Sequence, residues 1–107
     1  MHLLALLAIL VSGLQGTVTK GPTTPVCRQG IPCTAPAQVT LLFQRAGRTT
    51  RVHTTQTGHY RAILVPGYYT VRTAERIGIT PNIHPMRVHV RVEHVDRLDF
   101  KIDTGIR

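Results

Sequence analysis

A chain of 107 residues has the length of one small domain. Its 13 Lys and Arg against 5 Asp and Glu set a formal net charge of +8, and 42% apolar residues exclude a disordered tail or a multi-span membrane protein. Two cysteines, seven prolines, nine glycines, no tryptophan and many Thr and Val favour strands and turns over long helices.

The first residues read as a leader. Leu3 to Val11 is an unbroken apolar run, and the small and polar stretch Ser12-Gly13-Leu14-Gln15-Gly16 follows it. That order predicts a secretory signal peptide over residues 1–16, cleaved near Gly13 or Gly16, ahead of a domain over residues 17–107. The run has no polar face for docking as an amphipathic helix, and a membrane span needs about 20 apolar residues. Leu14 stands where a bacterial lipoprotein would carry its lipid-bearing cysteine. The expectation is therefore a secreted or extracytoplasmic protein of the cell envelope, with no lipid anchor and no transmembrane segment in the mature chain.

Next come Cys27 and Cys33, enclosing Arg28-Gln29-Gly30-Ile31-Pro32. Gly30 and Pro32 permit a tight loop, and an exported chain meets an oxidising compartment, so the pair reads as a disulfide. Closing so short a ring would restrict the unfolded chain by roughly 2 kcal/mol. Structural zinc sites and redox motifs favour C-x-x-C spacings, which are missing.

From residue 39 onward the apolar period is two throughout. Val39, Leu41 and Phe43 share one face, as do Thr50, Val52 and Thr54, then Tyr60, Ala62 and Leu64, then Tyr69, Val71 and Thr73. Val88, Val90 and Val92 follow, and Leu98, Phe100 and Ile102 alternate with outward Arg97, Asp99, Lys101 and Asp103. Turn signals separate the runs at Gly47, Gln56-Thr57-Gly58, Pro66-Gly67 and a polar bend from Glu93 to Arg97, each expected to join antiparallel neighbours. Gly58, Pro66 and Gly67 are the turn-forming residues: Gly58 supplies a positive backbone dihedral, and Pro66 and Gly67 preset a corner. Tyr60 and Tyr69 face inward, and Tyr68 faces out. Between Ala74 and Pro85 the pattern breaks: Ile77, Ile79 and Ile83 lie among Gly78, Pro81 and Pro85, which suits a cap over an open end better than a central strand. About seven short strands with one apolar face each call for a second sheet, so the fold class is all-β, a single antiparallel β-sandwich of immunoglobulin-like or transthyretin-like shape.

Some of these residues carry a resemblance. Gly16-Thr17-Val18, Thr55-Gln56-Thr57-Gly58-His59-Tyr60-Arg61 and Leu64-Val65-Pro66-Gly67-Tyr68-Tyr69-Thr70-Val71 look like the T-x-x-G-x-Y/F and L-x-P-G-x-Y-T-V pattern of carboxypeptidase regulatory-like domains, which are transthyretin-like sandwiches. Gly21-Pro22-Thr23-Thr24-Pro25-Val26-Cys27, with Cys33, and the closing Asp103-Thr104-Gly105-Ile106-Arg107 resemble small secreted bacterial members of that group. The resemblance implies a noncatalytic module. The acidic residue that the family commonly carries before the turn glycine is replaced by Thr55, Gln56 and Thr57, so a carboxylate-based ion site there is not implied.

The chemistry-bearing residues point the same way. His2, His53, His59, His84, His89 and His94 form no H-x-x-E or H-E-x-x-H, and the chain ends without the Tyr-Arg-Gly-Ser signature of transthyretin-like hydrolases. No catalytic residues, metal ligands or cofactors are expected. Arg51 with His53, and His89 with Arg91, alternate with inward residues on two strands; if those strands are neighbours, they make one cationic face for an anionic ligand, strengthened below neutrality by the histidines. Without an outward aromatic series or a helix, sequence-specific nucleic-acid reading is not expected. The function that follows is a noncatalytic binding or structural accessory module whose partner is an envelope protein or an anionic polymer. The alternatives are a basic polyanion-binding module and, behind it, a transthyretin-like hydrolase.

Overall fold

The computed structural model describes residues 11–30, 32–75 and 82–106, so residues 1–10 of the expected leader and the expected cap residues Ile77 and Ile79 lie outside it. The described residues form strands and turns without a helix: β1 Gly13–Gly21, β2 Ala35–Pro36, β3 Thr40–Arg45, β4 Arg48–His53, β5 His59–Ile63, β6 Gly67–Thr73, β7 Asn82–His84, β8 Arg87–Val90, β9 Val95–Arg97 and β10 Phe100–Asp103. The strands beyond the expected seven include β2, β7 and β9, which are two or three residues long. Segments so short cannot display an alternation.

Two sheets result. One has the order β4-β3-β6-β8, antiparallel throughout. The other is built on β1, which is long enough to serve two sets of neighbours in turn. Its first half pairs with β5 on one side and β9 on the other, and its second half pairs with β2 and β10, with β7 beyond β10. The pairings of β1 with β9 and with β10 are parallel, which corrects the all-antiparallel expectation. The run from Arg97 to Asp103 is likewise two strands, both along β1, with Leu98 N–H donating to Gln15 C=O at 2.8 Å between them.

Sheet membership also corrects the reading of the turns. Ala46-Gly47 closes a hairpin between β3 and β4, as its spacing implies. Gln56-Thr57-Gly58, Pro66-Gly67 and the bend after Glu93 instead carry the chain from one sheet to the other, because β5 and β9 pair with β1 while β4, β6 and β8 belong to the second sheet. Gly58 has φ 82°, and a Cβ there would lie 2.5 Å from Val18 C=O, so both conformation and space require glycine. Gly67, at φ 145°, opens β6 directly after Pro66.

The core forms where the two sheets face each other. Leu41, Phe43, Tyr69, Val71, Val88 and Val90 come from the four-stranded sheet and meet Leu14, Val18, Tyr60, Ala62, Ile83, Phe100 and Ile102 from the other. Phe43 is the hub, with ring centroids 6.2 Å from Phe100 and 6.4 Å from both Tyr60 and Tyr69. Both buried tyrosines satisfy their hydroxyls, Tyr60 on Leu98 C=O and Tyr69 on Val65 C=O. Burial, reinforced by the Asp99 charge, raises the Tyr60 pKa well above the usual phenol value. Val92, read as a third inward valine of β8, is exposed because the strand ends at Val90. Ile83 is buried on β7, at the edge of its sheet, where Pro85 can follow without breaking a ladder.

Two regions bear on the sequence boundaries. Cys27 and Cys33 are joined by a disulfide, Cα atoms 5.5 Å apart, in the exposed segment between β1 and β2. The boundary drawn between residues 16 and 17 falls inside β1: Leu14 is 1% exposed in the core, opposite Ala62. Gly13 and Gly16 are small for a packing reason, since a Cβ on either would collide with the backbone oxygen of Ala62 or Leu98.

Candidate anion-binding face

The outer surface of the four-stranded sheet follows from its register. With Leu41, Phe43, Tyr69, Val71, Val88 and Val90 turned to the core, their strand neighbours face solvent. On β3 and its partners these neighbours form rows. Leu42 lies between Arg51 of β4 and Arg72 of β6. Gln44 lies between Thr49 and Thr70, and Thr70 is opposite Arg87 of β8. Tyr68 is opposite His89, and Thr40 is opposite His53. Adjacent strands are about 4.8 Å apart, so Arg51 and Arg72 stand about 10 Å from each other across the sheet.

Leu42 is the apolar residue in this array. It is 7% exposed yet does not belong to the core cluster, so its cover comes from the outer face, where the aliphatic stems of Arg51 and Arg72 flank it. Tyr68, 75% exposed, stacks on His89 with centroids 4.3 Å apart and planes at 12°. It is an aromatic plate at the β8 edge.

At one end of this face a carboxylate reaches in. There Glu75, just past β6, accepts from Thr40 N–H at 2.7 Å and from the Thr40 hydroxyl at 3.0 Å, while His53 Nδ1 lies 2.8 Å from the same hydroxyl. Burial pushes the Glu75 pKa up, but the Thr40 hydrogen bonds and the His53 charge outweigh it and hold the carboxyl below its ordinary value. Asp96, Asp99 and Asp103 belong to the other sheet. Among the described residues the two ion pairs are Arg91 with Asp96 and Arg97 with Asp99, leaving Arg51, Arg72 and Arg87 without a carboxylate partner.

The residues expected to bind anions are thus only partly brought together. Arg51 and His53 are on β4 and His89 is on β8, at opposite edges of one sheet with β3 and β6 between them. Arg91 lies beyond the end of β8, where Asp96 binds its Nε at 2.9 Å and Nη2 at 2.6 Å. The hydrogen bond from Arg91 holds the Asp96 carboxyl low, and the pair has little charge to offer a ligand. Arg72 and Arg87, which fill the middle and far edge of the face, were not among the residues expected to bind anions; alternation beside Val71 and Val88 is the signal that turns them outward, and sheet order sets them beside Arg51.

Gly58, Pro66 and Gly67 lie at crossings between the sheets and not on this face. Cys27 and Cys33 lie in the β1–β2 connection. Among the described residues no group of three or more His, Cys, Asp or Glu has the arrangement to hold a metal ion.

Comparison with known proteins gives one structural likeness. No family model matches the chain, and no curated protein does. A crystal structure of a DUF3823 family protein from Parabacteroides merdae ATCC 43184 superposes with a TM-score of 0.50 at 21% identity, covering 87% of this chain and 46% of that one. The chain therefore spans about half the length of that protein. At this identity the likeness shows the fold: a β-rich domain of the same architecture.

Proposed function

We propose that the chain is a noncatalytic, extracytoplasmic accessory module that holds an anionic polymer against the outer face of its four-stranded sheet. One observation carries the reading. Arg51, Arg72 and Arg87 share that face without a carboxylate partner among the described residues, while Asp96, Asp99 and Asp103 sit on the other sheet. Like charges gathered on a flat surface have an electrostatic cost that a polyanion relieves. Rows of Thr, Gln and Tyr between the cations supply neutral hydrogen-bonding groups along the same surface. The disulfide supports an oxidising compartment, where anionic envelope polymers are found.

The test is retention on immobilised heparin and polyphosphate over a salt gradient. The wild-type chain elutes late and the charge-reversed set R51E, R72E and R87E elutes early. Reversing Arg61, Arg97 and Lys101 on the other sheet, an equal change in net charge, has the smaller effect. Equal loss from both sets would reduce the interaction to bulk charge, and turnover on an ester panel would revive the hydrolase reading.

A further inference from the structure

The core-facing side of the β3–β4 hairpin ends on two cations. Leu41 and Phe43 face the core, and Arg45, two residues on, falls on their side of β3. Arg48 is its direct partner across the Ala46-Gly47 turn, on the side of β4 that carries Thr50 and Val52. Two arginines thus stand opposite each other where the alternation leads to a further apolar pair, and like charges so placed repel. The five acidic residues stand elsewhere. Asp96 and Asp99 are paired with Arg91 and Arg97, Asp103 accepts from Gly105 N–H, and Glu75 is bound to Thr40 at the other end of β3. Glu93 is held through its N–H by the Ser12 hydroxyl, across β1 from β5.

Beside this pair the two sheets part. The crossing at residues 54–58 joins β4 to β5, and toward the far ends of those strands a cleft of about 530 Å³ opens, within the range of small-molecule sites. Its apolar lining includes the buried Leu64 and Tyr69, and Thr50 adds a hydroxyl to the wall. Tyr69 is also the neighbour of Arg45 on β6, one pair beyond Gln44 and Thr70, so a row of Arg48, Arg45 and Tyr69 crosses the mouth. A glycine seats the middle cation. A Cβ on Gly67 would lie 2.3 Å from Arg45 Nε and 3.0 Å from its Cζ, so the guanidinium occupies the space that a side chain there would fill. A cation already seated loses less freedom when it binds.

We propose that this cleft binds a carboxylate on a short apolar body, of the class of a medium-chain fatty acid, with its carboxylate between Arg45 and Arg48 and its chain along Leu64 and Tyr69. The opposed cations and the apolar lining together select that class. A carboxylate has an oxygen for each guanidinium and relieves their repulsion. An inorganic anion would leave the apolar lining uncovered, and a neutral apolar molecule would leave the arginines opposed. The site is separate from the outer cationic face, because Arg45 and Arg48 lie on the inner side of strands whose outer side carries Arg51 and Leu42. Either site can fail without the other.

The experiment is titration of the full chain with octanoate, read by calorimetry and by amide chemical shifts. Saturable binding is expected, with the largest shifts at Arg45, Arg48, Thr50 and Leu64. Acetate and octanol, which supply the charge and the chain separately, are each expected to bind about tenfold more weakly or less. Arg48→Glu is expected to weaken octanoate by about tenfold or more while raising the thermal midpoint by about 1–5 °C, because the new carboxylate pairs with Arg45. R45Q with R48Q removes the charge without adding an ion pair and is expected to lose the same affinity; if Arg48→Glu does not fold, that variant decides alone. The R51E, R72E and R87E set is expected to bind octanoate as the wild type does. Octanoate affinity retained in the R45Q and R48Q variant overturns the proposal, as does acetate or octanol binding as tightly as octanoate. Shifts that gather on the outer face and vanish in the R51E, R72E and R87E set would assign the carboxylate to that face and also overturn it.

Discussion

Arg51 and Arg72 stand in one row of the four-stranded sheet, on either side of the buried Leu42. That register sets two aliphatic arginine stems beside the one apolar residue of the outer face. Truncating Leu42 to Ala is expected to cost about 2 kcal/mol of stability, at the low end for a buried leucine because its cover is flexible. Urea unfolding reads the change, and the same variant should elute earlier from heparin as the arginines lose their platform.

A ring packed against the Phe43 hub gives the largest expected loss. Phe100→Ala removes a fully buried aromatic from contact with Phe43 across the sandwich and with Tyr60 of its own sheet. Such a truncation costs about 3–5 kcal/mol. In a domain this small, that approaches the whole stability, so thermal denaturation should show a broadened or absent transition. A normal melt would mean that the core lies elsewhere.

The start of β1 can be tested by truncation. A chain beginning at Ser12 keeps every core residue, whereas one beginning at Thr17 loses Leu14 and the pairing of residues 13–16 with β5 and β9. The shorter chain is expected to be less stable by about 3 kcal/mol or more, the cost of removing a buried leucine together with its strand. N-terminal sequencing of exported protein then shows whether the chain starts before or after Ser12.

Reducing the disulfide should have a milder effect. The Cys27–Cys33 ring is short and lies outside the strands, so its loss is expected to cost about 1–3 kcal/mol and lower the melting temperature without abolishing the β signal in circular dichroism. The intact oxidised mass should be about two daltons below the reduced one, for the two hydrogens lost on bonding. Free, readily alkylated thiols in exported protein would contradict the bond.

Acid should weaken the fold through Glu75 and Asp99. Asp99 is held below its ordinary value by hydrogen bonds from Thr17 N–H and hydroxyl, and by Arg97, and Glu75 by Thr40 and His53 against the effect of its burial. For each, the folded pKa is below the unfolded one, so the stabilisation is present above the unfolded values of 4.5 and 3.8 and is lost as pH falls through the folded ones. The urea midpoint is expected to drop below about pH 4.5, and Glu75→Gln should flatten that dependence. An unchanged slope in the Gln variant would remove Glu75 from the account.

Period-two alternation depends only on which side of a strand each residue faces, so the inward positions of Leu41, Phe43, Tyr60, Ala62, Tyr69, Val71, Phe100 and Ile102 were legible along the chain. So were the disulfide and the positive dihedral at Gly58. Alternation does not reveal which strand lies beside which. The Gln56-Thr57-Gly58 and Pro66-Gly67 signals look alike whether the chain folds back on its neighbour or crosses to the other sheet, and the crossing is decided by β1, which takes β5, β9 and β10 as partners.

The anion-binding face divides the same way. Alternation along the chain turned Arg51, His53, His89 and Arg91 outward, because their strand neighbours are apolar or otherwise inward. Only the tertiary structure decided that Arg51, Arg72 and Arg87 share one surface, that Arg91 is taken by Asp96, and that Leu14 belongs to the core. A side chain's direction is fixed by its own backbone, whereas its company is fixed by pairings between residues far apart in the chain, and those are chosen by burial of the whole core at once.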